Sequence, residues 1–160
     1  MRVEINVQKL EQNMTAYIAT TLGKTVDVDV FRGGIPDGVD TGIGVIVAME
    51  INEVTSLSAS AYELQPVARL FAVQIIGKFN SRDDAWSLLS SMRGLVPVYN
   101  HALDDFTIVC LAARGDSNVE ATNDKGKVKH VANINLVLNA IPKTAEAGSN
   151  DNPIIKEPQP

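Results

Sequence analysis

Residues 71–95, FAVQIIGKFNSRDDAWSLLSSMRGL, change period halfway along. From Val67 to Phe79 the odd positions carry Val67, Phe71, Val73, Ile75 and Phe79, whereas Gln74 and Lys78 fall on even ones. Such alternation predicts a strand with one packed face and one partly wet face. Arg69 interrupts the packed face near the strand start, where it would reach solvent or an acidic partner. Ser81 then stands three residues before Asp84, a capping-box-like pair that places acid at a helix N-terminus. Ala85, Leu88, Leu89, Met92 and Val96 follow at helical spacing, and Gly94 is a stop signal. A strand that runs straight into a capped amphipathic helix requires a sheet with that helix laid on it. Trp86 lies about 100° round the helix from Ala85, at the margin of the buried stripe, where it completes the core or touches an adjacent subunit.

Upstream, Val7, Leu10, Met14, Tyr17 and Ile18 recur at helical spacing, with Asn6 as a cap and Gly23 as a stop. This predicts a helix over about 6–22. In TVDVDVF, Val26, Val28 and Val30 alternate with Asp27 and Asp29, predicting a strand with one wet face near a sheet edge. RGGIPDGVDTG, residues 32–42, is a turn or loop by its Gly, Pro and Asp content. A second strand, IGVIVAMEI, is expected to pair back on the first with Ile43, Val45, Val47, Met49 and Ile51 on one face. Residues 52–65 follow neither period and read as a long polar connection, a hint of use in interaction.

Downstream, FTIVCLAAR (106–114) is almost continuously apolar and predicts a central strand in which Cys110 is a small buried hydrophobe. Over 127–141 Val128, His130, Ala132, Ile134, Leu136 and Leu138 alternate with Lys129, Asn133, Asn135 and Asn139. NDKG at 123–126 is a hairpin signal, and the polar GDSNVEATN before it suggests a projecting arm. Helix, three strands, helix, two strands make an α+β domain over 1–141: one mostly antiparallel sheet of about five strands with two helices packed on one face. Residues 142–160 are a Pro-rich, extended or disordered tail in which the Ile154–Ile155 pair is a candidate anchor on a neighbour.

The bulk numbers narrow the function. The 160 residues suit one domain. A net charge of -5 argues against a surface built to grip phosphates. One cysteine excludes an internal disulfide, the chain start lacks the apolar core of a signal peptide, and no stretch has the length of a membrane span, so the expectation is a soluble protein made in a reducing cytoplasm. Little points to catalysis. His101 and His130 share no motif spacing, and Asp104 and Asp105 beside His101 read as a solvated loop start. RGGIPDG joins two strands, so it presents no helix N-terminus to a phosphate. Asp37 and Asp40 fit no calcium loop. No serine stands in a nucleophile elbow. Neither a catalytic set, a metal nor a cofactor is expected.

The N-terminal helix, VFRGGIPDG, the strand-to-helix unit PVARLFAVQIIGKFNSRDDAW and the NDKG hairpin together resemble the tail terminator or tail-completion proteins of long-tailed bacteriophages, and related minor capsid and neck proteins. The resemblance covers residues 5–141 and is carried most visibly by Val73, Gln74, Ile75, Ile76 and Gly77 running into Ser81–Ala85. The chain departs from the family where Ile76 and Lys78 stand in place of arginine, and in its tail after 142. The resemblance implies a structural virion protein, assembled in the host bacterial cytoplasm, that forms a homo-oligomeric ring of about six subunits through head-to-tail contacts. The ring caps the tail tube protein, ends its polymerisation and faces the head-side connector. Candidate interface residues are Arg69, Trp86, Ser117, Asn118, Glu120, Ile154 and Ile155. Six copies at -5 sum to roughly -30, a field past which DNA slides without specific binding. Asp27, Asp29, Asp37 and Asp40 either line that channel or sit on a solvated outer face. The alternatives are a head-completion or head-tail adaptor protein, a small-molecule-binding α+β domain or cryptic enzyme, and a dimeric regulator.

Overall fold

The side chain of Asn6 accepts the Lys9 amide at 3.0 Å and turns the extended chain into helix α1, Val7–Leu22. At the other end Gly23 takes φ 70°, and the amides of Gly23 and Lys24 close onto the Thr20 and Ala19 carbonyls. The structure, a computed structural model, describes residues 5–51 and 69–143. The expected loop at 52–65 and the Ile154–Ile155 anchor lie outside them.

Strand β1 is short, Val30–Arg32, and is followed by β2 (Gly42–Ile51) and β3 (Arg69–Phe79). Helix α2 spans Arg82–Leu95, and β4 (Val98–Ala102), β5 (Phe106–Ala113), β6 (Asn118–Asp124) and β7 (Lys127–Pro142) complete the chain. The sheet order is β1-β2-β3-β7-β5-β4, with β6 beside the first half of β7. The β1–β2 pair is parallel and the rest antiparallel. The fold is therefore α+β, as expected, with seven strands among the described residues rather than five. The added strands, β4 and β6, are mostly exposed. They pair through their backbones without burying a face, so they carry no apolar period to read.

Register aligns Val45, Ile75 and Ile134 across the sheet, then Val47, Val73 and Leu136, then Phe71, Leu138 and Leu111. All are buried in one cluster with Leu10, Met14 and Ile18 of α1 and Ala85, Leu88, Leu89 and Met92 of α2. Both helices thus cover the same face. α2 presses so closely that a Cβ on Gly77 would lie 2.4 Å from Leu88 Cδ2 and 2.6 Å from Phe79 Cε2. α1 is held from two sides. Glu11 Oε2 accepts the Val47 amide at 2.9 Å, beyond the point where β1 stops. Asn13 donates to Asp105 Oδ2 and accepts the Asp105 amide, both at 2.8 Å.

Several expectations are corrected. Residues 27–29 are a turn, and the strand expected from Val26 onward begins only at Val30. Asp29 Oδ2 accepts the Thr25 amide and the Thr25 carbonyl accepts from Val28, Asp29 and Val30, while Asp27 takes φ 69°. These local bonds outcompete a ladder, leaving Val28 64% exposed and only Val30 buried. β2 runs parallel to β1 instead of pairing back on it, because loop 33–41 crosses the sheet before β2 begins. A β-bulge between Val47 and Met49 breaks the single apolar face expected along β2. α2 continues through Gly94 to Leu95 and ends at extended Val96. Cys110 is only half-buried, since a bulge between Ile108 and Cys110 turns it to the helix-free face beside Asn139. Val128 is exposed because β7 there runs past the last β3 partner, Phe79 with His130. Lys129, expected to be wet, is buried. The 118–133 hairpin lies in the sheet as far as Ala121 and His130, and residues 122–129 extend past the end of β3.

Candidate functional site

The helix-free face of the sheet has two halves. Toward the ends of β2 and β7 it carries Leu70, Ala72, Val137, Cys110, Ala112 and Ile141, all half-buried. Toward the hairpin it becomes polar. Asn133 Nδ2 donates to Asn118 Oδ1 at 3.3 Å and to Glu120 Oε2 at 3.4 Å. Asn135 receives Ser117 against its amide nitrogen, which donates to the Ser117 hydroxyl at 3.1 Å, and its side chain donates to Asp116. Three of the expected interface residues, Ser117, Asn118 and Glu120, are thus gathered along one asparagine row at the outer strand β6, which pairs only with β7 among the described residues.

The other two described interface candidates stand apart. Arg69 is buried on the helix-facing side and engaged with other groups, so the monomer leaves it little surface for a neighbour. Trp86 is 40% exposed on α2, with the Arg82 guanidinium 6.0 Å from its ring centroid. Much of its indole therefore remains outside the core.

The four expected channel aspartates separate into two pairs. Asp27 is exposed in the 25–29 turn, and Asp29 is committed to shaping it. Asp37 and Asp40 line a cleft of about 250 Å³ together with Asp124, Lys78, Lys125, Lys127 and Lys129. Loop 33–41 reaches this place by folding across β2 at Gly44, where a Cβ would meet Gly34 Cα at 2.9 Å. Lys129 is 2% exposed, and its ammonium donates to the Asp40 carboxylate and the Asn80 side-chain oxygen. Lys78 pairs with Asp124 at 3.2 Å. The Lys129 hydrogen bond, seconded by the Asn80 amide, holds the Asp40 carboxyl below its ordinary value of 3.8. The sequence pattern placed Lys129 on a wet face and missed this cluster; the only local signal was a lysine repeated at 125, 127 and 129 opposite Asp37 and Asp40.

The rings of Tyr17 and His101 meet at a tilt of 51° with centroids 4.9 Å apart, and Tyr17 lines a groove of about 440 Å³ bounded also by Asn13, Thr20, Leu103, Asp104 and Lys143. His130 Nδ1 is buried and has no hydrogen-bond partner among the described residues. Among the described residues no group of three or more His, Cys, Asp or Glu side chains is placed to hold a metal ion. No helix among them is long and apolar enough to cross a membrane. Compared with known proteins, the chain matches no family model and no curated sequence.

Proposed function

We propose that the chain is a structural virion protein of a long-tailed bacteriophage, forming a ring of about six subunits that caps the tail tube, ends its growth and joins it to the head-side connector. The observation that supports this reading is the one-sided sheet. Helices cover one face, and the other offers an apolar half, an amide-rich half and the outer strand β6. A surface of that make-up suits contact between copies better than it suits bulk water. The Ser117–Asn118–Glu120 row and Trp86 lie on different elements, as a head-to-tail contact between successive copies requires. DNA is a passing occupant of the ring. The clustering of Asp37 and Asp40 with lysines favours Asp27 over those two as an unneutralised channel charge.

The reading is tested by the oligomeric state. Light scattering and negative-stain imaging of the purified 17.2 kDa chain should give a closed ring with a central hole. Glu120→Lys together with Asn118→Arg should shift it toward monomer without unfolding it. A compact monomer or dimer at every concentration would count against the ring. The Tyr17 groove has a volume within the roughly 300–1,000 Å³ typical of small-molecule sites, which favours a small-molecule-binding domain as the second reading. Monomers stabilised by a metabolite-sized ligand would support it.

A further inference from the structure

The described margins of the sheet are guarded against a further strand, with one exception. β1 has three residues, and Val26 bridges to Val30 beside it. Past the end of β1, the Val47 amide of β2 is taken up by Glu11. β4 has five residues, and its ladder skips Asn100, which takes φ 50°. Shortness, interruption and capping are the devices that keep an edge from pairing further. β6 carries none of them. Its residues Asn118–Asp124 pair with β7 in unbroken register and include no proline, lysine or left-handed residue. They present roughly 23 Å of edge. The two acids of β6 are drawn back onto the sheet, Glu120 by Asn133 and Asp124 by Lys78. Among the described residues no strand pairs with the outer side of β6.

Helix α2 gives this edge a charge. Arg93 lines a cleft with Arg114 and Ser117 at the junction of β5 and β6, which turns that flank of the helix toward the edge. Arg82 and Trp86 fall within about 20° of Arg93 round the helix, so the row over β6 reads basic, aromatic, basic. Arg82, Arg93 and Arg114 are exposed and have no ion-pair partner among the described residues. The nearby acids lie elsewhere. Asp83 and Asp84 fall outside the row, and Asp116 and Glu120 are engaged by Asn135 and Asn133 on the helix-free face. We propose that β6 accepts an extended acidic segment of another protein as an added strand. The donor backbone pairs with the outer edge of β6, and its carboxylates, at alternate positions, meet the arginines beside Trp86. The Asn118–Glu120 row faces the helix-free side, so the inference stands whether or not copies of the chain form a ring.

The test uses the full chain and synthetic peptides of about eight residues, long enough to span β6. One alternates glutamate and threonine, one alternates lysine and threonine, and the third is the glutamate peptide with its backbone nitrogens methylated. The glutamate peptide should slow hydrogen exchange at the outward amides of β6 on the order of tenfold, and the other two should leave it unchanged. Arg82→Glu with Arg93→Glu, both at exposed positions, should weaken its binding on the order of tenfold. Lys9→Glu with Lys24→Glu, the same change of net charge on α1, should not. Equal binding of the lysine or the methylated peptide, or β6 exchange unmoved by the glutamate peptide, would overturn the proposal. Outward amides that are protected in the chain alone would overturn it too: a second copy holds the seat if protection grows with protein concentration, and the chain's own residues hold it if protection does not.

Discussion

Lys129 shows how much one side chain can hide from a sequence pattern. It stands on the strand face read as wet, yet loop 33–41 folds across that face and buries its ammonium against Asp40 and Asn80. A consequence is measurable by pH. The folded value of Asp40 is depressed, so its contribution to stability is present above the unfolded value near 3.8 and is lost as pH falls through the lower, folded one. Wild type should therefore lose stability more steeply than Lys129→Met below about pH 4, and the two should run parallel between pH 5 and 7. Urea titrations across that range check it; parallel curves below pH 4 would separate Asp40 from Lys129. Gly77 makes a second residue-scale prediction. With Leu88 and Phe79 against the place a Cβ would take, Gly77→Ala should destabilise by about 1–3 kcal/mol through overpacking, read as a lower urea midpoint at unchanged slope.

Elements were legible where the signal was local. The alternation of Phe71, Val73 and Ile75 and the Ser81 cap specify β3 and α2 within a few residues of each other, and both occur where the sequence places them. α1 was equally readable from Asn6, its apolar stripe and Gly23. What was not legible depended on partners distant in sequence. The Val26–Val30 alternation imitates a strand, but Asp29 and Thr25 spend its hydrogen bonds locally. β4 and β6 are held by pairing rather than burial, and the bulges in β2 and β5 shift faces without a marker in composition. The same limit applies to the candidate site: Ser117, Asn118 and Glu120 could be named from polarity, but their convergence on Asn133 and Asn135 follows only from register. The hairpin tip supplies an element-scale prediction. Lys125 and Gly126 take φ 55° and 84°, the two-residue turn that favours Asn-Gly. Lys125→Asn should stabilise by about 0.5–1 kcal/mol by relieving the cost of the left-handed conformation, seen as a raised thermal midpoint. No gain would mean that Lys125 contributes something its conformation does not reveal.

At the scale of the molecule, helices and sheet close one core, and the chemistry left over is on surfaces. The helix-free face, the β6 edge with its amide row and the partly exposed Trp86 are the surfaces that the proposed ring would use between subunits. Charge is divided rather than uniform: Asp37 and Asp40 are matched by lysines at one pole, so a negative channel would have to draw on other acids, Asp27 among them. The most direct measurement is to polymerise tail tube protein with and without the purified chain and to image the products by electron microscopy. Arrested tubes bearing one ring of this chain at a single end are predicted, with arrest lost in the Asn118→Arg, Glu120→Lys variant. Tubes that grow to the same lengths in its presence and carry no added density at either end would contradict the assignment.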